Sequence, residues 1–225
     1  MKKFFCTAVF FLLILALVFA CVRGVVMDLS FYETEYAALG TAGDIGMSQA
    51  DLMAATERLL LYMEGDVPDL DVSAVVNGAE RQVFNLRERA HMVDVAALFQ
   101  GWMLYEKLAF AGTALTVLLL LLAAKERRLS FFARCYRNAA LIFGVLLLAI
   151  GVWVLLDFES FWISFHHLFF RNDLWLLDPA TSIMINMFPE VFFNRMVTRI
   201  VVHALLAVGI PFLAAAVYLR RKKRP

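Results

Sequence analysis

The chain has 225 residues, 62% of them hydrophobic and 18% charged, with a mean hydropathy of +0.74 and a formal net charge of +1. A water-soluble domain of this size has too little interior to hide so much apolar surface, so part of its solvent is lipid. A freely soluble enzyme or binding module is thereby excluded.

Four uncharged stretches are long enough to cross about 30 Å of hydrocarbon. The first runs from Phe4 to Val22, between Lys3 and Arg23. Its opening, Met1-Lys-Lys before an apolar run, also has the form of a signal peptide, and Val18-Phe-Ala-Cys21 that of a lipoprotein cleavage site. Phe19 is too bulky for such a site and the run is long for a signal, so the segment is expected to stay as a span. Segment 23–107 is long enough for a small α+β domain. Ser48 suits the N-cap of a helix ending at Glu64 before Gly65, with Leu52, Leu59, Leu60 and Met63 on its apolar face. Asp71–Val76 and Glu80–Phe84 read as strands joined at Asn77-Gly78, the usual signal for a type I′ hairpin. From Leu86 a helical pattern runs directly into the second span, 108–124. It puts Glu88, His91 and Val95 on one side, with Asp94 close to His91.

A basic loop, 125–137, leads to the third span, 138–156. Segment 157–199 is rich in aromatic residues and too interrupted by polar ones to cross the membrane. It is expected to lie in the interface as short amphipathic helices. Asp178-Pro179 would start one as N-cap and first helical residue, and Pro189 would break or restart it. The fourth span is 200–219, followed by a basic tail, 220–225. The fold class expected is a mainly α membrane protein with four transmembrane helices, a small α+β outer domain and an interfacial segment.

Charge sets the expected orientation. The start, the loop 125–137 and the tail together hold twelve Lys and Arg residues, with Glu126 their only acid. Segments 23–107 and 157–199 hold nine basic and nineteen acidic residues. Basic loops stay in the cytoplasm, so both termini are expected inside and both acidic segments outside. The tail Arg220–Arg224 then suits anionic lipid heads rather than nucleic acid.

Of four histidines, His91, His166 and His167 fall in the outer segments and His203 within the fourth span. Histidine is the side chain best poised for proton transfer near neutral pH. Glu88, Asp94 and Asp173 are carboxylates near enough in sequence to orient an imidazole, although caps and solvated charges give the same pattern. His91, Asp94, His166 and His167 have no spacing that requires a metal, and no C-x-x-C pair, G-x-S-x-G elbow or H-E-x-x-H helix is present. Cys6, Cys21 and Cys135 do not form a disulfide framework. Interfacial hydrogen bonding alone would also account for the histidines.

The runs Glu88-Arg-Ala-His91-Met-Val-Asp94-Val95 and Phe165-His166-His-Leu-Phe169-Phe170 are followed by Asn172-Asp-Leu-Trp175-Leu-Leu-Asp178-Pro179 and Phe188-Pro-Glu-Val-Phe192-Phe193. In this order they resemble the bacterial lipoprotein intramolecular transacylase family, as do Phe31-Tyr32 through Tyr36 and the four-pass arrangement. The resemblance implies transfer of the sn-2 acyl chain of a diacylglyceryl-lipoprotein to the α-amino group of its N-terminal cysteine, giving a lyso-form lipoprotein. It implies catalytic roles for His91 and His166, with His167 beside the second of them as an extra histidine. It implies no cofactor and no metal; the partners are the lipoprotein substrate and membrane lipid. Two other readings use the same residues differently: a non-catalytic transporter accessory or envelope sensor, and a metal-dependent lipid hydrolase.

Overall fold

The computed structural model describes residues 2–123 and 128–222. Positions 124–127, at the end of the second span and in the expected basic loop, and 223–225 of the tail lie outside the described residues. In chain order the elements are α1 (Lys2–Val26), α2 (Leu29–Leu39), α3 (Thr41–Ile45), α4 (Gln49–Glu64), β1 (Ser73–Val76), β2 (Ala79–Gln82), α5 (Leu86–Ala123), α6 (Arg128–Leu156), α7 (Phe158–Phe169), α8 (Ile183–Met187) and α9 (Glu190–Arg221). Among the described residues, four helices are long and apolar enough to cross a membrane; they lie within α1, α5, α6 and α9. Large side chains such as Leu118, Leu122, Val145, Leu148, Leu155 and Leu213 are exposed on them, as lipid contact requires. The protein is thus a multi-pass, mainly helical membrane protein with one small strand pair.

The chain forms two compact units. The first comprises Met1–Val22, Met103–Trp162 and Ile200–Pro225. Its core joins α1, α6 and α9 through Ile14, Tyr136, Ala139, Ala140 and Val208, with Phe10 and Phe143 packed against them. Pro211 interrupts the hydrogen-bond ladder of α9. In that turn the Tyr136 hydroxyl donates to the Val208 carbonyl at 2.9 Å, a side-chain bond of the kind that satisfies backbone groups where water is absent. Tyr105 donates to the Leu12 carbonyl at 3.0 Å and packs edge-on to Phe19, fastening α5 to α1. From Arg128 the expected loop is already helix, because residues 128–137 contain neither glycine nor proline to stop α6.

The second unit comprises Arg23–Trp102 and Ile163–Arg199. Ser48 caps α4 by accepting from the Asp51 N–H at 3.0 Å, and Gly65 ends it with φ +88°. Leu52, Leu59 and Leu60 are buried, while Met63 is only half-buried. β1 and β2 are antiparallel with Val76 opposite Ala79, so Asn77 (φ +52°) and Gly78 (φ +82°) form the two-residue turn. Two successive positive φ values are what a type I′ turn needs. The strands are shorter than expected, because Val83 and Phe84 turn inward and are buried instead of continuing the exposed β2 edge. Tyr36 stacks on Phe192 at 5.4 Å and shares a buried hydrogen bond with Thr56, so α2, α4 and the start of α9 meet around one aromatic core.

Gly46 gives a direct test of this packing. It ends α3 with φ +77°, and its carbonyl accepts from the Asn77 N–H at 2.8 Å. A Cβ there would come 2.1 Å from Asn77 Oδ1 and 3.2 Å from the Asn77 backbone nitrogen. Gly46→Ala is therefore expected to destabilise by about 1–3 kcal/mol, combining αL strain with displacement of the hairpin turn. A lower melting temperature in detergent would show it, and an unchanged one would mean the turn yields freely.

In segment 157–199 the capping expectation needs correction. Asp178 does not start a helix: its carboxylate accepts from the Ala180 N–H and its carbonyl from the N–H groups of Thr181 and Ser182. It closes a single turn, since a short Asp side chain competes for nearby N–H groups. Ser182, in extended conformation, is the N-cap of α8, accepting from Ile185. Pro189 does separate α8 from α9, as its missing N–H and fixed φ favour.

Candidate active site

α5 begins with a reciprocal cap. Asn85 Oδ1 accepts from the Glu88 N–H at 3.0 Å, and Glu88 Oε2 accepts from the Asn85 N–H at 2.5 Å. Glu88 is fully buried, and its other oxygen, Oε1, accepts from the Ser182 hydroxyl at 2.6 Å and the Met184 N–H at 2.8 Å. Four further hydrogen bonds from α5 and the residue before it hold the loop 170–182. Arg87 donates to the carbonyls of Leu176 (3.1 Å) and Asp173, Asn85 Nδ2 donates to the Thr181 carbonyl, and Asp94 accepts from Asn172 Nδ2 at 2.8 Å. The first turns of α5 thus fasten a loop that has no regular structure of its own.

That loop supplies the walls around two histidines. His166, near the end of α7, is buried and stacked on Trp175 with ring centroids 4.4 Å apart and planes 25° apart. His91, on α5, is buried with its ring edge-on to Phe170 at 5.3 Å. Phe170 also lies 5.8 Å from His166, so both imidazoles meet the same phenyl ring. His167 is exposed and meets Trp175 edge-on at 5.6 Å. His203 belongs to the first unit.

Asp94 lies close enough to His91 to act on it electrostatically, as expected, whereas Glu88 is engaged elsewhere. Both oxygens of Glu88 serve the helix cap and the α8 junction, so it acts on the site through the loop and not on an imidazole. Asp94 binds Asn172, while Asp173 contributes its backbone carbonyl to Arg87. Among the described residues, no three His, Cys, Asp or Glu side chains gather as metal ligands.

Burial, above all, pushes the His91 imidazole down to about 4; His166 and Arg87 add to the effect and Asp94 opposes it. His91 is therefore neutral at pH 7. Among the described residues, its buried Nδ1 meets no hydrogen-bonding protein group, nor does Trp175 Nε1. The unfolded chain takes up this proton near 6.5, so the contribution to stability is complete above that pH and is lost as pH falls toward 4. His91→Gln is expected to show a smaller drop in melting temperature between pH 6.5 and 4.5 than the parent; equal drops would mean His91 titrates normally.

Trp175 and Phe170 were not legible as site residues from the sequence. They stood in the recognised runs, but only the fold brings them against the histidines.

A family model described as lipoprotein intramolecular transacylase matches residues 7–193. The chain belongs to this family, whose members are membrane acyltransferases. The crystal structure of the membrane-integral lipoprotein intramolecular transacylase from Bacillus cereus is similar, with TM-score 0.75 and 21% identity over 99% of this chain and 98% of that one. A histidine-to-arginine variant of the same bacterial protein gives TM-score 0.73 at 21% identity, over 99% and 94% of the two chains. A histidine-to-alanine variant gives 0.74 at 20%, over 99% and 96%. At this identity the likeness speaks for the fold, and the fold is that of the family. A search of curated protein sequences returns no match.

Proposed function

We propose that the protein moves the sn-2 acyl chain of a diacylglyceryl-lipoprotein to the α-amino group of its N-terminal cysteine, with His91 and His166 exchanging the protons. The observation that carries this reading is the pair of buried imidazoles that both meet the Phe170 ring, His91 with its proton affinity lowered mainly by burial. The α-amino group has a reference pKa of about 8, so a neutral amine is accessible near physiological pH. It attacks the ester carbonyl, an N–C bond forms and the C–O bond to glycerol breaks. His91 accepts the amine proton, and His166 stabilises the oxyanion and protonates the departing glyceryl oxygen. Both reacting groups belong to one molecule, so the site's main task is to fold the substrate into reactive geometry. No acyl donor from outside is needed.

The charge asymmetry of the chain favours both termini in the cytoplasm, with residues 23–107 and 157–199 on the outer face. The site would then meet lipoproteins at the outer leaflet. Expression in a host whose lipoproteins are only diacylglyceryl-modified, followed by mass analysis of lipopeptide N-termini, tests the reading. N-acylated, lyso-glyceryl cysteine is expected; unmodified diacylglyceryl cysteine would overturn it. Product formation is also expected to persist in chelator, and its loss there would favour metal-dependent hydrolysis.

A further inference from the structure

The second unit contains a cavity of about 710 Å³ that shares no residue with the histidine cluster. Ser30, Thr34 and Glu35 of α2 line one side, and Asn194, Arg195 and Arg199 of α9 the other. The two arginines are one helical turn apart and present their charges to the same space. Each is oriented by a carboxylate: Arg195 Nη1 donates to Glu35 at 2.5 Å, and Arg199 Nη2 to Asp28 at 2.8 Å. The guanidinium side chains are 48% and 40% exposed, whereas Glu35 and Asp28 are only 14% and 27% exposed. The guanidinium groups are thus the more exposed members of both pairs, although Glu35 also lines the cavity, and Arg199 is braced over the Phe31 ring at 5.3 Å. Among the described residues, the Nε and Nη2 groups of Arg195 and the side-chain amide of Asn194 bond to no other protein group.

In sequence, this cavity adjoins the membrane. Arg199 is the last charged residue before the apolar stretch 200–219, and Ser30 follows the end of α1 by four positions. A concave site of several hundred Å³ with oriented guanidinium groups and an amide donor, close in sequence to the ends of two apolar spans, matches a phosphate ester. We propose that this cavity binds the phosphate-bearing headgroup of a membrane phospholipid, separately from the lipoprotein substrate. Fixed guanidinium forks give planar, two-point recognition of phosphate oxygens, which scattered surface lysines do not.

Native mass spectrometry of the full chain in detergent tests the proposal without reference to acyl transfer. Phosphatidylglycerol is expected to bind at least tenfold more tightly than diacylglycerol, which lacks the phosphate. Arg195→Gln with Arg199→Gln is expected to weaken that binding roughly tenfold or more, the scale for losing charge-assisted hydrogen bonds. Because this pair of changes also strands Glu35 and Asp28, Asn194→Leu serves as the second variant. It leaves both ion pairs intact, removes the amide donor and narrows the cavity, and a several-fold loss is expected. Equal binding of diacylglycerol, or unchanged phosphatidylglycerol binding in both variants, would overturn the site. Retention of inorganic phosphate without phospholipid would overturn the lipid assignment. So would variants that lose a lipopeptide substrate while keeping phosphatidylglycerol.

Discussion

Alanine at His91 or at His166 is expected to lower the yield of lyso-form lipoprotein by a factor of about 10² to 10⁴, the usual contribution of positioned acid–base catalysis. The two changes are not expected to add. If one imidazole accepts a proton that the other helps to deliver, removing either breaks the same transfer, and the double variant should be little worse than the poorer single one. His167→Ala is the internal control: it lies next to His166 in sequence but is exposed, with its ring perpendicular to that of Trp175. Its activity should stay close to that of the parent. Mass analysis of lipopeptide N-termini, with melting temperatures in detergent to separate misfolding from chemistry, measures all four. A fully active His91→Ala or His166→Ala protein would remove that residue from the mechanism.

Glu88→Ala is expected to have the largest effect on stability. The carboxylate is fully buried and accepts from the Asn85 N–H, the Ser182 hydroxyl and the Met184 N–H. Deleting it leaves two buried donors and one part-buried donor without their partner, each buried one costing about 1–3 kcal/mol before relaxation, so a net loss of about 2–5 kcal/mol is expected. The damage should be local first. The junction before α8 would loosen, and with it the loop that holds Trp175 against His166. Activity is therefore expected to fall at temperatures where most of the protein is still folded. Glu88→Gln retains the shape and one acceptor oxygen, and should lie between parent and alanine. Thermal melts and protease sensitivity of residues 170–182 follow both effects; an unchanged melt for Glu88→Ala would show that water replaces the carboxylate.

How much of this was legible in the sequence depended on the range of the interaction. Ser48, Gly65 and the Asn77-Gly78 turn were read correctly because caps and tight turns are decided within four residues. Asp178 was misread for a related reason. Its local hydrogen bonds can close a turn or cap a helix, and the sequence around it does not distinguish the two until Ser182 takes the cap. Glu88 was noticed for its place one turn before His91, but its role depends on Ser182 and Met184, nearly a hundred residues away.

The sequence by itself determined that the chain lives in lipid and crosses it with four apolar stretches, because hydrophobicity and charge act residue by residue whatever the fold. It also carried the family's motifs and so pointed to His91 and His166. Only the tertiary structure decided that these two imidazoles meet at Phe170, that His166 rather than His167 is the buried one, and that Trp175 backs it. Those facts depend on a loop fastened to α5 by Asn85, Arg87, Glu88 and Asp94, through contacts between residues far apart in the chain. Local propensity carries no information about such pairings, since burial and partner geometry exist only once the chain has folded.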